Sequence, residues 1–315
     1  MSEPAEDVRA LFSAQEIAEL RRRSDGLGVL LVLSAWGVIL GAMALFALWP
    51  NPLSFLIALV LIGGRQLGLA VLMHDAAHGI LTQSRWLNEA LGSWACGHPL
   101  ATDMHAYRAY HLRHHAHTQG PQDPDLGLSA PFPTTRASLG RKILRDLTGR
   151  TFLKQRGAQI RHAFGPAGAP LSTRLAHGWT RLGGFAVTNG LLLAGLAAVG
   201  HAELYLLLWL LPMATVYQLV LRIRNIAEHA MTGPAGDPLR HARTTHAGLL
   251  MRATLAPYWV NYHVEHHMFM WVPCYRLPRL HAMLGEKGLH PRMEIAPSYL
   301  AVLQAASSRP ALAAA

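Results

Sequence analysis

Four long apolar runs stand out from the pattern of hydrophobic and polar positions along this 315-residue chain. They occupy residues 27–49, 53–73, 183–199 and 204–221. Each is close to the roughly 20 residues with which an α-helix crosses a bilayer, although the third is at the short limit. Short polar turns separate the first run from the second and the third from the fourth. The pattern predicts an all-α integral membrane protein with four transmembrane helices in two hairpins. Buried helices of a soluble protein are the weaker interpretation, because two adjacent hairpins of this length need lipid.

The second and fourth helices are expected to continue beyond their apolar runs. At about 1.5 Å per residue, His74 and His78 lie about 31 and 37 Å from the start of the second run. Asn225 and His229 lie at the same heights along the fourth run. These positions are just beyond a hydrocarbon core of about 30 Å. The sequence therefore predicts that two helix ends place histidines side by side at one face of the membrane.

Basic residues flank the apolar runs on one side only. They are Arg21, Arg22 and Arg23 before the first run, the many arginines of residues 85–181, and Arg222 and Arg224 after the fourth run. The turns within the two hairpins contain neither Lys nor Arg. The positive-inside rule then makes both termini cytoplasmic, at the inner membrane if the protein is bacterial. Residues 74–182 and 222–300 would form a cytoplasmic helical cap, and we expect residues 1–315 to be a single domain.

The net charge of +10 at pH 7 changes this picture little. An excess of this size can indicate nucleic-acid binding. Here the basic residues flank apolar runs, so anionic lipid headgroups are the expected partners and nucleic acid is not. Arg65 is the exception, because it lies inside the second run. A charge at that depth is a functional hypothesis by default, and snorkelling or pairing with another helix is the alternative.

Residues 131–181 have the composition of an interfacial segment. Leu139, Ile143, Leu144 and Leu147 form an apolar stripe, and basic residues occupy the rest of the helix surface. This pattern is typical of a helix that lies on the cytoplasmic leaflet. The stripe is equally compatible with ordinary core packing.

Three histidine-rich motifs, here called boxes one, two and three, carry the candidate chemistry. They are His74-Asp75-Ala76-Ala77-His78, His111-Leu112-Arg113-His114-His115 and His263-Val264-Glu265-His266-His267. With 19 His in 315 residues, chance should produce an HxxHH pattern roughly 0.07 times, and this chain has two. Imidazole is a common ligand of iron, copper and zinc, so the boxes predict a transition-metal site.

Helical spacing indicates that the site is dinuclear. Residues i and i+4 share a helix face, so His74 and His78 can meet one metal. In box two, His114 and His115 point roughly 100° apart, with His111 between them and one turn back. Such a fan suits two neighbouring metals better than one tetrahedral metal, and box three repeats it. Eight imidazoles also exceed the four ligands of a structural zinc site.

Further residues are candidates to complete the site. The Asn225–His229 pair repeats the i, i+4 spacing, so we expect His229 to be a ninth ligand and Asn225 to face the metals directly or through water. A helix-end histidine at a lipid headgroup is the alternative for His229. Ligating histidines usually donate their second N–H to a carboxylate or carbonyl. The carboxylates placed to accept it, or else to remain solvated charges, are Asp75, Asp123, Asp125, Glu228 and Glu265. The histidines without ligand spacing, expected not to bind metal, are His105, His117, His246 and His281.

These motifs resemble those of the integral-membrane fatty acid desaturase superfamily, which includes desaturases, carotenoid hydroxylases and ketolases. The similarity spans about residues 27–281 and rests on HDAAHG, HLRHHAHT followed by DPD, RNIAEHA, and NYHVEHH followed by VPCYRLP. The resemblance implies a non-haem di-iron centre that uses O₂ and two electrons. It assigns as ligands His74, His78, His111, His114, His115, His229, His263, His266 and His267.

Two departures from that family pattern bear on function. Front-end desaturases carry Gln at the first position of box three, where this chain has His263. They often carry a fused cytochrome b5 domain with an HPGG motif, whereas His98-Pro99 lacks the glycines. Electrons are therefore expected from a separate ferredoxin, rubredoxin or cytochrome.

The sequence favours an O₂-dependent desaturase acting on a fatty acyl chain that reaches the site from the bilayer. A carotenoid ketolase or hydroxylase, or another lipid hydroxylase, is the closest alternative, because His241-Ala242-Arg243-Thr244-Thr245 and box three are also similar to β-carotene ketolases. A non-enzymatic membrane cytochrome or metal carrier is a distant alternative. The interiors of the apolar runs lack the histidine pairs that a haem needs, and only Arg65 and Gln66 offer polar groups near midplane.

Overall fold

The computed structural model describes residues 8–310, and this part of the chain is mostly helical. The α-helices are α1 Ala14–Arg21, α2 Asp25–Leu48, α3 Pro52–Ala77, α4 Arg85–Ala90, α5 Met104–His117, α6 Leu126–Ser129, α7 Arg136–Leu147, α8 Arg150–Ala163, α9 Leu171–Ala198, α10 Leu211–Ala214, α11 Val216–His229, α12 Leu249–Ala253, α13 His263–Met268, α14 Leu277–Glu286 and α15 Tyr299–Ala306. Two short strands, β1 Thr244–Thr245 and β2 Ile295–Ala296, pair in parallel. The segments Leu91–Gly97 and Tyr205–Leu210 are π-helical.

Four helical stretches are long and apolar enough to cross a membrane, as the sequence predicts. They are Asp25–Leu48, Pro52–Ala77, Leu171–Ala198 and Tyr205–His229. Their starts follow local rules. The Ser24 hydroxyl caps the first stretch, and Asn51 caps the second with Pro52 in its first turn. As expected, α3 runs beyond its apolar residues, so box one forms its C-terminal end.

The third and fourth apolar runs differ from the expected helices. The third helix begins at Leu171, twelve residues before the predicted start. The fourth run is not one helix. It is π-helical at first and is interrupted at Thr215, whose φ and ψ are −122° and −82°. Pro212 has no N–H to donate, and the Thr215 hydroxyl bonds the Leu211 carbonyl at 2.7 Å. A constant rise of 1.5 Å per residue does not describe this interrupted run, and α11 ends at His229.

The packing of α3 against α12 explains why the charged Arg65 lies inside an apolar run. Its guanidinium donates to the carbonyl oxygens of Arg252 and Ala253 at 2.9 and 2.8 Å, at the end of α12. Arg65 therefore links α3 to the end of α12. The adjacent Gly63 and Gly64 bring the α3 backbone close to its neighbours: a Cβ at Gly63 would lie 2.5 Å from Val216 Cγ1.

The segment between α3 and α5 packs deep among the long helices, which the apolar pattern does not reveal. The Trp36 indole, in the middle of α2, donates to the Ala95 carbonyl at 2.8 Å. Asn189, in α9, donates to the Pro99 carbonyl at 3.2 Å and accepts from the Trp209 indole at 2.8 Å. Polar contacts therefore join this segment directly to α2 and α9, and Asn189 links it onward to the fourth helical stretch.

The apolar stripe on α7 is partly core and partly surface, so it agrees in part with each of its two interpretations, core packing and contact with the membrane. Leu139 is buried, whereas Leu144 and Leu147 are exposed beside basic residues. Leu153 and Ile160 of α8 and Trp179 of α9 are exposed as well. This apolar and basic surface has the composition of a membrane-facing helix surface.

Candidate metal centre

The ends of α3 and α11 meet α5 and α13, and all nine predicted histidines lie in one cluster. Five of them form a group that we call site A, in which one ligand atom of each residue lies within 4.8 Å of every other. Site A consists of His74, His78, His111, His115 and His266.

The remaining four histidines form an adjacent group, site B. It combines two overlapping sets that share His229, one with His114 and His267 and the other with Glu228 and His263. Each HxxHH box is divided between the sites. Its i, i+4 pair faces one site and its middle histidine faces the other, because positions i+3 and i+4 point in different directions around the helix.

The spacing of the ring nitrogens fits two metal ions. Within site A, His115 Nε2 lies 3.0 Å from Nε2 of both His111 and His266. Within site B, His229 Nε2 lies 3.2 Å from His114 Nε2 and 2.9 Å from His263 Nε2. Two nitrogens bound at right angles about 2.1 Å from one metal are about 3.0 Å apart. Nε2 atoms of His74 and His78 are buried without a hydrogen-bond partner among the described residues, so their lone pairs are free.

Burial keeps the histidines of the cap neutral, which metal binding requires. Burial, with Arg108 adding to the effect, lowers the pKa of His78 to about 4. Burial and the neighbouring imidazoles also hold the pKa well below its ordinary value in His111, His115, His263, His266 and His267.

Two acidic residues of the loop after α5 lie behind site B. Asp123 Oδ1 is 2.7 Å from His114 Nδ1, and both side chains are buried. Burial alone would favour the neutral acid, but His114 and backbone amides hold the pKa of Asp123 below its ordinary value. Asp125 lies 3.7 Å from the same Nδ1 and accepts the Tyr110 hydroxyl. Asp123 thus accepts from Nδ1 and directs the His114 Nε2 lone pair to the cluster.

The other candidate carboxylates occupy different positions. Asp75 Oδ1 is 3.3 Å from His74 Nδ1, and its Oδ2 accepts the Cys274 amide at 2.8 Å, which ties α3 to the segment after box three. Glu265 does not reach a box histidine. It accepts the Thr244 hydroxyl and contacts His281 Nδ1, so it joins α13 to β1 and α14.

Glu228 lies beside site B, whereas the prediction for Asn225 stays a prediction. The buried Glu228 bonds Arg224, and its Oε2 lies 3.5 Å from His263 Nε2. Asn225 is half-buried, and no hydrogen bond of its side chain is found within residues 8–310. The contact between Arg224 and Glu228 was not anticipated, although their i, i+4 spacing is a signal for such a pair.

Among the remaining histidines, His241 was overlooked. Its ring centroid lies 5.4 Å from that of His267, and burial lowers its pKa to about 4. It lines a cavity of about 590 Å³ that reaches His115 and His267. A second cavity, of about 610 Å³, reaches His78 and is lined by Arg23, Arg85 and Arg108. His105, His117, His246 and His281 lie outside both sites.

Comparison with known proteins identifies the class. The sequence profile of the fatty acid desaturase family matches residues 50–295, so the chain belongs to this family. Its resemblance to the membrane desaturase and hydroxylase superfamily is thereby confirmed. The family is an oxidoreductase family with a histidine-ligated non-haem di-iron centre, and sites A and B fit such a centre.

Individual relatives differ in activity. The chain is 27% identical over 272 residues to dihydrorhizobitoxine desaturase of Bradyrhizobium elkanii, covering 84% of this chain and 76% of that protein. It is 25% identical over 246 residues to β-carotene ketolase of Paracoccus sp. strain PC1, covering 74% and 84%. Zeaxanthin 4-ketolase of Chlamydomonas reinhardtii is 26% identical over 227 residues, or 71% of this chain and 43% of that protein.

Proposed function

We propose that this protein is an O₂-dependent fatty acyl desaturase whose nine clustered histidines bind two iron ions. The observation that carries the proposal is the convergence of all nine on two adjacent sites at the ends of two long apolar helices. The ligands proposed are five at site A and four at site B. Bound iron and O₂ would supply the oxidant for an unactivated C–H bond, with two electrons from a separate ferredoxin, rubredoxin or cytochrome.

The protein's own contribution is to hold and shield this centre. Four elements fix the histidines from different directions, so that their nitrogens converge without rearrangement. Asp123 sets the tautomer of His114, and Thr118, 3.3 Å from His267 Nδ1, is placed to do the same for that ring. Burial of the cluster excludes water from the reacting carbon.

The proposal includes a membrane arrangement. Residues 1–315 form one domain with four transmembrane helices in two hairpins, and residues 74–182 and 222–300 form a cytoplasmic cap. The arginines beside the long helices and the exposed Leu144, Leu153 and Trp179 support it. The lipid substrate would then reach the site from the bilayer.

Cysteine labelling tests this topology. Cys96 and Cys274 are both buried, so they should react little with an impermeant reagent and can stay in place. Single cysteines at Asn51 and His201 should react with an impermeant reagent from the outside, and one at Gln122 only from the cytoplasmic side. Labelling at position 122 from the outside would overturn the arrangement.

A carotenoid ketolase is the second candidate, favoured by the similarity to two ketolases. Lipid and pigment mass spectrometry distinguishes the candidates. Cells that make carotenoids should gain acyl double bonds when they express the wild type, and should not when they express His263→Ala. Oxygenated pigment without new double bonds would replace the desaturase proposal with the ketolase one.

Metal analysis should give two iron ions per chain, and one ion after full reconstitution would refute the dinuclear site.

A further inference from the structure

We infer that the Glu228 carboxylate is itself a metal ligand and the fifth donor of site B. The inference rests on the dinuclear site proposed above. Site A offers five imidazoles, whereas site B offers four. Glu228 is the only carboxylate within residues 8–310 that falls in either group of potential metal ligands.

The geometry of Glu228 suits coordination by one oxygen. Its Oε2 lies 3.5 Å from His263 Nε2, and its ligand atom lies within 4.8 Å of those of His229 and His263. Donors about 2.1 Å from one metal are about 3.0 Å apart at right angles and about 4.2 Å apart when opposite. A contact of 3.5 Å falls between these limits, so Glu228 and His263 can share an ion.

The other carboxylate oxygen is held by Arg224. Arg224 Nε donates to Oε1 at 2.6 Å, and the two side chains are 12% and 5% exposed. This bond fixes the carboxylate rotamer and leaves Oε2 free to face the histidines. Arg224 is therefore a positioning residue, one helical turn before the ligand.

Asn225 stays a separate prediction for the same site. It shares the i, i+4 face of His229, so its amide can face the metals directly or through water. Glu228 differs in that its carboxylate oxygen already lies 3.5 Å from His263 Nε2.

A carboxylate would make the two ions inequivalent. Imidazoles are neutral ligands, whereas carboxylate oxygen is anionic and prefers harder ions. Site B would hold its ion with four imidazoles and one negative charge, and site A with imidazoles alone. The two sites should then differ in metal affinity and in spectrum.

The competing explanation is that Glu228 only neutralises the buried Arg224. Three variants separate the two roles: Glu228→Gln, the double variant Arg224→Met with Glu228→Gln, and Glu265→Gln as a matched control. Glu265 is an equally buried carboxylate that contacts no box histidine. The double variant removes both buried charges together, so it corrects any instability caused by an unpaired arginine.

The measurements are ferrous iron binding against a competing chelator and Mössbauer spectra of protein loaded with ⁵⁷Fe. Wild type and Glu265→Gln should bind two ions and show two iron environments. Both Glu228 variants should keep the site A ion and lose affinity for the second ion by more than about 100-fold, beyond the 10- to 100-fold typical of a residue behind a ligand.

Two outcomes would overturn the inference. If the double variant regains the second ion with wild-type affinity, Glu228 serves only Arg224. If Glu228→Gln binds two ions as the wild type does, the carboxylate is not a ligand. A wild type that binds fewer than two ions would instead refute the dinuclear proposal, so the two failures are distinguishable.

Discussion

At the scale of single residues, three of the nine clustered histidines have a polar side chain within hydrogen-bond distance of the ring nitrogen Nδ1. His114 Nδ1 contacts Asp123, His74 Nδ1 contacts Asp75, and His267 Nδ1 contacts Thr118. Each contact fixes a ring orientation and leaves Nε2 facing the cluster. The residues behind the ligands should therefore influence metal affinity almost as strongly as the ligands.

Asp123→Asn should weaken metal binding at site B by about 10- to 100-fold, because an amide accepts the His114 N–H less strongly and can present its own N–H instead. Chelator competition measures the change. Asp125→Asn is the control. Asp125 lies 3.7 Å from His114, so this substitution should reduce the metal affinity less. Equal losses in both variants would contradict the assignment of the tautomer to Asp123.

His229→Ala should lose one of the two metal ions and nearly all activity, although the residue belongs to no box. Its Nε2 lies within 3.2 Å of two site B histidines, so truncation removes a central donor. Metal content by mass spectrometry and product formation are the measurements. His201→Ala is the control, because His201 lies partly exposed beyond the end of α9 and contacts only Glu203 among the described side chains. Retention of both ions would show that site B is completed without His229.

At the scale of elements, the crossing of α3 with the fourth helical stretch sets the distance between the two helix ends that carry histidines. Gly63 makes this approach possible, since a Cβ there would meet Val216 Cβ at 2.6 Å and the Tyr217 amide nitrogen at 3.2 Å. Part of the obstruction is backbone, so a rotamer change cannot relieve it.

Gly63→Ala should push α3 and α11 apart and lower the free energy of unfolding by about 1–3 kcal/mol, the usual cost of overpacking. It should also reduce metal retention, because His74 and His229 are carried on these helices. Thermal unfolding in detergent and metal content give the two readouts. Gly37→Ala on α2 has no neighbour within 4 Å and should be neutral or slightly stabilising. A Gly63→Ala protein as stable as Gly37→Ala would refute the close crossing.

At the scale of the whole molecule, the metal-free protein should become less stable as the pH falls below about 6.5. His78 has a pKa of about 4 in the folded chain because it is buried, and about 6.5 when unfolded. Between these values the unfolded chain binds more protons, so protonation favours unfolding. His78 alone would cost about 2 kcal/mol at pH 5, and the pKa of five other cap histidines is also lowered by burial.

Melting temperatures of chelator-treated and iron-loaded protein from pH 8 to pH 5 test this. The melting temperature of the chelator-treated protein should stay constant down to about pH 6.5 and should fall below that pH. The melting temperature of the iron-loaded protein should begin to fall only at a lower pH, because the metal competes with protons for the same lone pairs. A flat profile for the metal-free protein would show that its cluster opens and admits water.

The sequence by itself determined that four long apolar helices form and that the histidines of the three boxes cluster. An apolar run near 20 residues has few stable alternatives to a membrane helix, and i, i+4 spacing forces side chains onto one face. For this reason box one, the fans of boxes two and three, and His229 were all predictable as members of one cluster. The capping box of Ser13 and Glu16, which begins α1, follows from equally local rules.

Only the tertiary structure decided what lies around the cluster and where a helix breaks. The fourth run is interrupted at Thr215, and hydropathy does not record such a break. The contact of Glu228 with site B depends on where α13 places His263, and Glu265 contacts His281 because α14 packs beside it. These contacts join residues far apart in the chain, and spacing rules act only within one helix.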